Sequence, residues 1–133
     1  MNIEVVKKFS FDAAHFLPGY KGKCANTHGH CWELHVGFKG PVYLKTGMVI
    51  DFVEVKKIVD KLIIDKLDHQ FLNKLVDKKL DFPYTCPTAE NMVAWIIKIL
   101  QNRINTPFSV LLNSVRLYET ATSYAEWQRI ETD

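Results

Sequence analysis

The sequence lacks the features that mark membrane and secreted proteins. No apolar run approaches the roughly 20 residues of a membrane-spanning helix. The first residues alternate like a strand and contain no long apolar signal core. The three cysteines form no C-x-x-C pair and cannot all pair within one chain. We therefore expect a reduced, cytoplasmic protein that does not contact a membrane.

A surplus of charge of one sign is also missing. The formal net charge is +2 and lysine and arginine form no block, so nothing supports nucleic-acid binding through phosphate contacts. What the sequence does have is a globular composition, with 47% hydrophobic and 24% charged residues. A chain of 133 residues can bury a core without disulfides. Because it contains no repeat or linker, we predict a single domain over residues 1–133.

Alternation of apolar and polar residues predicts four strands. Residues Ile3–Ala13 and His30–Phe38 follow period two, and Gly40-Pro41 ends the second strand. Period two returns in Val115–Leu117, and a last strand is predicted from about Ser123 to Ile130.

Helical spacing separates the two pairs of strands. Asp51 is a candidate N-cap with Glu54 three residues on, and apolar residues at helical spacing follow in Val55–Ile63. A second helix is predicted after Thr88 and is expected to stop at Thr106-Pro107. The order strand, strand, helix, helix, strand, strand predicts an α+β domain with both helices on one face of an antiparallel sheet.

Three histidines form the first candidate site. His28 and His30 are two residues apart, so on extended backbone both imidazoles point to the same side. His15 follows the first strand in phase and would approach from the neighbouring strand. Three neutral imidazoles with an open fourth position are typical of catalytic zinc. An isolated H-x-H also occurs by chance, and spacing alone leaves both explanations open.

Cys24 lies beside these histidines in the polar segment 21–27. A neighbouring lysine and a nearby metal favour the thiolate, which would make this cysteine reactive. Cys24 could instead be the fourth ligand of a closed structural zinc site, or merely an exposed thiol. Cys31 and Cys86 lack such surroundings and are interpreted as packing residues.

Two further positions carry titratable side chains of interest. In Asp68-His69, an imidazole next to a carboxylate can shuttle protons at neutral pH, although a histidine at a helix end is also common for electrostatic reasons. Glu119 ends an apolar alternation and either points to solvent or accepts two N–H bonds from a ligand. His35 lies opposite the face assigned to the core and is interpreted as structural.

Together these residues resemble the 6-pyruvoyl- and 6-carboxy-tetrahydropterin synthase family. The matching motifs follow one another in order along nearly the whole chain. They are FDAAH (11–15), Cys24 with HGH (28–30), GMVIDF (47–52), LDH (67–69) with LN (72–73), PTAEN (87–91) and ET (119–120).

The resemblance implies a fold and an assembly. The family has the tunnelling fold, a four-stranded antiparallel sheet with two helices on one side. Three such sheets join into a barrel by trimerisation, and two trimers stack as a homohexamer. Such an assembly would also cover the sheet edges that a single four-stranded sheet leaves open.

The resemblance also implies an activity and its residues. It implies Zn²⁺ held by three ligands, His15, His28 and His30. Cys24 would act as general base on the pterin side chain, and Asp68 with His69 would relay protons. The metal would polarise the side-chain oxygens of dihydroneopterin triphosphate. Some residues of such a site come from a neighbouring subunit.

The same resemblance implies how the substrate is held. Glu119 would anchor the pterin ring, with Thr88 near it at the start of the second helix. Lys23 is a candidate for binding the triphosphate, on charge and position alone.

The spacing within the cysteine–histidine motif indicates the product. Three residues separate Cys24 from His28, which resembles the bacterial and archaeal carboxy-forming branch on the route to queuosine. We therefore expect a lyase that forms 6-carboxy-tetrahydropterin and releases acetaldehyde and triphosphate. The alternatives are the pyruvoyl-forming synthase, a non-enzymatic pterin-binding relative and a closed structural zinc protein. Another branch has glutamate in place of the cysteine, and Cys24 argues against it.

Overall fold

In a computed structural model, the described residues are 1–75, 82, 86–103 and 109–130. The strands are β1 (Asn2–His15), β2 (His28–Pro41), β3 (Gln70–Phe71), β4 (Leu111–Thr120) and β5 (Ser123–Gln128). The helices are α1 (Phe52–Val59), α2 (Asp65–Leu67), α3 (Leu72–Leu75) and α4 (Ala89–Arg103). A π-helical segment, Asp60–Ile64, joins α1 to α2, and Lys23–Ala25 forms a short 3₁₀ turn.

The strands form one sheet in the order β3-β1-β2-β4-β5. The four long strands pair antiparallel, and β1 pairs with β2 from Asn2 opposite Pro41 to His15 opposite His28. β3 is parallel to β1 and pairs only with Ala13 and Ala14. The α+β class with one sheet is therefore confirmed, whereas the prediction of four strands, all antiparallel, is wrong. A strand of two residues is too short to produce a period-two signal.

One face of the sheet is buried beneath the helices. The odd-numbered residues of β1 from Phe9 onward and the even-numbered residues of β2 from Trp32 onward are buried in one core with apolar side chains of α1, α2 and α4. The opposite face includes exposed side chains such as Ser10 and Asp12. This alternation is what brings the inward residues at the strand ends, His15 and His30, to the same side.

The predicted start of the first helix is confirmed. Oδ1 of Asp51 accepts a hydrogen bond from the Val53 N–H at 2.8 Å, which caps α1. The second helix begins at Ala89 as predicted, but its predicted end at Thr106-Pro107 lies outside the described residues. Within the described part of the chain, every helix is too short or too polar to cross a membrane.

Candidate active site

The three predicted histidines meet where β1 ends and β2 begins. His15 pairs directly with His28, and His30 pairs with Ala13 two positions further along the same two strands. His15 is fully buried, whereas His28 and His30 are partly buried. One ring nitrogen from each, together with a carboxylate oxygen of Glu119, lies within 4.8 Å of all the others. Three neighbouring strands, β1, β2 and β4, thus place four donor atoms around one point.

Backbone carbonyls orient two of these rings. Nδ1 of His15 lies 2.8 Å from the carbonyl oxygen of Pro87, and Nδ1 of His28 lies 2.7 Å from that of Asn26. A carbonyl only accepts hydrogen bonds, so Nδ1 carries a proton in both rings, and in the neutral imidazole Nε2 then presents its lone pair. An outer hydrogen bond of this kind is what holds a metal-binding histidine in the required tautomer.

Glu119 is the residue that the sequence did not place beside the histidines. Its Oε1 lies 3.3 Å from Nε2 of His15 and 3.1 Å from Nε2 of His30. Both Nε2 atoms are buried without a hydrogen-bond partner among the described residues. The sequence did contain an indication that Glu119 points inward, because it shares a face with Val115 and Leu117, whose side chains are buried in the core.

The charges at this cluster fit a cation. In the neutral ring Nε2 of His15 is an acceptor that faces an acceptor oxygen of Glu119, and a positive ion between such groups removes their repulsion. Burial lowers the pKa of His30 below its ordinary value, and His15 and His28 lower it further against the opposing effect of Glu119. The neutral imidazole that a metal needs is therefore the favoured form of His30. Three nitrogens and one oxygen are donors that suit Zn²⁺.

Asp68 and His69 form a second cluster on the outer edge of β1. Oδ1 of Asp68 accepts a hydrogen bond from the Asp12 N–H at 2.9 Å and lies 3.0 Å from Nδ1 of His69. The hydrogen bond from the Asp12 N–H lowers the pKa of the Asp68 carboxyl most, and the contacts with His69 lower it further. His69 has φ 60°, a left-handed backbone conformation held by its own N–H, which donates to the Asp12 carbonyl at 2.6 Å.

An open cleft connects the two clusters. It has a volume of about 530 Å³ and is lined by residues including Asp12, Gly29, His30, His69 and Phe71. His30 from the first cluster and His69 from the second therefore face one space. A small molecule in this cleft would touch His30, one of the predicted metal ligands, and His69 of the predicted proton relay.

Cys24 occupies the 3₁₀ turn between β1 and β2. Its carbonyl accepts a hydrogen bond from the Leu17 N–H at 2.8 Å, which closes the loop, and its side chain is partly buried. Among the described residues, the group of ligand atoms within 4.8 Å of one another at the histidines does not include its thiol. Lys23 is exposed on the same turn.

The remaining predicted residues have local partners. Oγ1 of Thr88 accepts a hydrogen bond from the Asn91 N–H at 3.1 Å at the start of α4. His35 lies on the outer face, where Nε2 is 3.0 Å from a carboxylate oxygen of Glu33. Cys31 is exposed on that face, so its interpretation as a packing residue is wrong. The Asp12 carboxylate raises the pKa of the Cys31 thiol.

Comparison with known proteins gives a consistent result. A model of the 6-pyruvoyl tetrahydropterin synthase family matches residues 4–129. The chain is 38% identical to a 6-carboxy-5,6,7,8-tetrahydropterin synthase of Haemophilus influenzae, covering 94% of this chain and 98% of that one. It is 35% identical to a dihydroneopterin monophosphate aldolase of Pyrococcus furiosus over 90% and 91% of the two chains. The structure of a Caenorhabditis elegans 6-pyruvoyl tetrahydropterin synthase superposes with a TM-score of 0.80 at 26% identity, covering 98% of this chain and 97% of that one.

Proposed function

Because the chain belongs to the 6-pyruvoyl tetrahydropterin synthase family of lyase-type enzymes, we propose that it makes 6-carboxy-5,6,7,8-tetrahydropterin. The substrate is 7,8-dihydroneopterin triphosphate, which together with one water yields the carboxy-pterin, acetaldehyde and triphosphate. This reaction belongs to the biosynthesis of queuosine and related deazapurines in the cytoplasm. Residues 1–133 act as a single tunnelling-fold domain.

One observation supports this proposal above the others: the buried Nε2 atoms of His15 and His30 converge without a hydrogen-bond partner in the part of the chain that the structure describes. Leaving such groups unsatisfied costs about 1–3 kcal/mol each, so a binding partner for them is expected. We propose that the partner is Zn²⁺, held by His15, His28 and His30. Bound there, zinc would act as a Lewis acid toward the oxygens of the substrate side chain.

The protein's own groups move the protons. Cys24, on the loop that leads into His28, is the proposed general base that removes a proton from the pterin side chain. His69 exchanges protons across the shared cleft, and the Asp68 carboxylate at 3.0 Å holds its ring and stabilises the imidazolium. The lowered pKa of Asp68 keeps that carboxylate charged at neutral pH.

Other residues hold the substrate. We propose that Glu119 anchors the pterin ring through charge-assisted hydrogen bonds and that Thr88 lies near the ring. Lys23, exposed beside Cys24, is the candidate contact for triphosphate.

A homohexamer built from two trimers completes the proposal. Among the described residues, β3 covers only Ala13 and Ala14 on the outer edge of β1, and the outer edge of β5 has no strand partner. Uncovered edges of this length favour pairing with further strands. Joining these two edges between subunits would close three sheets into a barrel.

Two observations favour the carboxy product. The spacing of Cys24 and His28 matches that branch, and the relative from Haemophilus influenzae bears the name of that enzyme. Relatives named for pyruvoyl and aldolase activities belong to the same fold, so the product has to be measured.

The test is incubation of the purified, zinc-loaded protein with dihydroneopterin triphosphate and, in a parallel reaction, with dihydroneopterin monophosphate, followed by mass spectrometry of the products. Carboxy-tetrahydropterin with acetaldehyde is the expected result. A pyruvoyl product would assign the chain to the other branch of the family. Unchanged triphosphate substrate, with turnover only of the monophosphate, would replace the proposal with an aldolase.

A further inference from the structure

The segment Asp68–Asn73 runs along the outer edge of β1 and is bonded to it at both ends. At one end Asp68 and His69 hold the backbone of Asp12, as described above. In the middle, β3 pairs with Ala13 and Ala14. At the other end lies Asn73, a motif residue without an assigned role. We call Asp68–Asn73 the edge segment.

Asn73 binds the peptide that follows a predicted metal ligand. Its Oδ1 accepts a hydrogen bond from the Phe16 N–H at 2.9 Å, and its Nδ2 donates to the Phe16 carbonyl at 3.0 Å. Phe16 directly follows His15, at the point where the chain leaves the sheet. The two bonds copy those of a neighbouring strand residue, because the side-chain amide, like a backbone peptide group, offers one donor and one acceptor side by side.

The two bonds from Asn73 hold a residue that lies just beyond the end of the β1–β2 pairing. His15 is the last residue of β1 paired with β2, so the sheet itself does not hold Phe16. Asn73 binds Phe16 from the edge of β1 opposite to β2, one residue beyond the last β1–β2 pair. The rings of Phe16 and Phe71 stack beside it with centroids 6.0 Å apart. The backbone around His15 is thus held by β2 on one side and by Asn73 on the other.

We propose that Asn73 is a positioning residue for the enzyme. By fixing Phe16 it holds His15 in the metal cluster and sets the distance from that cluster to the Asp68–His69 pair at the other end of the edge segment. This inference rests on the proposed function, because it assigns Asn73 a role in zinc binding and proton transfer. Asn73 acts through the backbone and does not touch the substrate.

The critical variant is Asn73→Asp, which keeps the acceptor for the Phe16 N–H but places a carboxylate oxygen against the Phe16 carbonyl. We expect the Phe16 amide to lose protection in hydrogen exchange and zinc affinity, from chelator competition, to fall by about 10- to 100-fold. At saturating zinc, kcat should fall by about tenfold or more while KM changes by less than about threefold, since ring recognition is untouched. Asn73→Ala should show the same pattern.

Two control variants separate positioning from stability. Lys74→Ala changes the next, exposed side chain and should leave all three readouts as in the wild type. Leu100→Val loosens the buried core at the far end of α4 and should lower the unfolding midpoint without changing zinc affinity. Zinc affinity is compared between Asn73→Asp and Leu100→Val under conditions in which the two variants have the same free energy of unfolding. A greater loss of zinc affinity in Asn73→Asp then does not follow from global destabilisation.

Each outcome decides one claim. Wild-type protein that binds no zinc contradicts the proposed function and removes this inference with it. Wild-type protein that binds zinc, with Asn73→Asp and Asn73→Ala equal to it in affinity and kcat, overturns the inference alone. A zinc-affinity loss in Asn73→Asp no greater than in Leu100→Val at equal stability also overturns it, because the role of Asn73 would then be structural only.

Discussion

The two ends of the β1–β2 pair have opposite characters. At one end, His15 and His28 face each other among buried nitrogens and a carboxylate. At the other end of these 14-residue strands, about 40 Å away, Pro41 opens onto a cavity of about 820 Å³. That cavity is lined mainly by apolar side chains and includes the exposed Tyr43 and Leu44.

The larger cavity is the poorer candidate for chemistry. Its lining contains few groups that can bind a metal or transfer a proton. The histidine end instead brings together the buried Nε2 atoms of His15 and His30, which have no hydrogen-bond partner within the described part of the chain. Exposed apolar surface of this kind is typical of contacts between protein chains. Convergent polar atoms, more than volume, therefore locate the site in this molecule.

The strongest test of this contrast removes a ligand at one end and a large side chain at the other. His30→Ala should lower zinc affinity by more than about 100-fold, beyond the loss expected for an outer hydrogen-bond partner. Tyr43→Ala, at the apolar end, should bind zinc like the wild type. Both affinities can be measured by competition with a chromophoric chelator. Equal affinity in the two variants would contradict the assignment of the histidine end as the metal site.

Cys24→Ala sharpens the roles within the histidine end. Loss of the proposed general base should lower kcat by about 10²- to 10⁴-fold while bound zinc stays at one ion per chain. Turnover assays and metal analysis of the same preparation measure the two quantities. Loss of zinc together with activity would show that Cys24 is a metal ligand in a closed site. Cys31→Ala, on the outer face, is the matched control and should keep both.

Glu119→Gln separates two roles for a carboxylate that contacts His15 and His30. If Glu119 anchors the pterin, the substitution removes charge-assisted hydrogen bonds, and KM should rise by about 10- to 100-fold with zinc affinity within about threefold. Steady-state kinetics and chelator competition provide the test. A fall in zinc affinity at unchanged KM would instead make Glu119 a fourth ligand. Glu54→Gln, exposed on α1, should change neither quantity.

The smallest expected effect concerns the acid–base pair and depends on pH. The folded-state pKa of Asp68 is lowered, so its contribution to stability is complete above the ordinary aspartate pKa of about 3.9 and is lost as pH falls through the folded value. Asp68→Asn should therefore be less stable than the wild type near neutral pH, and the difference should shrink in acid.

Urea unfolding of both proteins over a pH series measures that difference. Asp65→Asn, exposed three residues earlier, is the control and should show a smaller difference near neutral pH. A stability difference between Asp68→Asn and the wild type that is the same at every pH would contradict the assigned contacts.

Local periodicity explains which features were predictable from the sequence. Alternation located the four long strands, and the phase of His28 and His30 correctly placed both rings on the inward face. The pairing of β3 with β1 and the position of Glu119 depend on contacts between distant segments. Asn73 bonds to Phe16, 57 residues away, and no local pattern encodes such a partner. The motifs therefore identified residues whose spatial relations only the fold supplies.

Zinc K-edge X-ray absorption of the zinc-loaded wild-type protein tests the central claim most directly. Three imidazole ligands without cysteine predict nitrogen or oxygen scatterers at about 2.0–2.1 Å, with the outer-shell pattern of imidazole rings and no sulfur. A sulfur scatterer at about 2.3 Å, or a zinc shell without imidazole, would contradict an open site held by His15, His28 and His30.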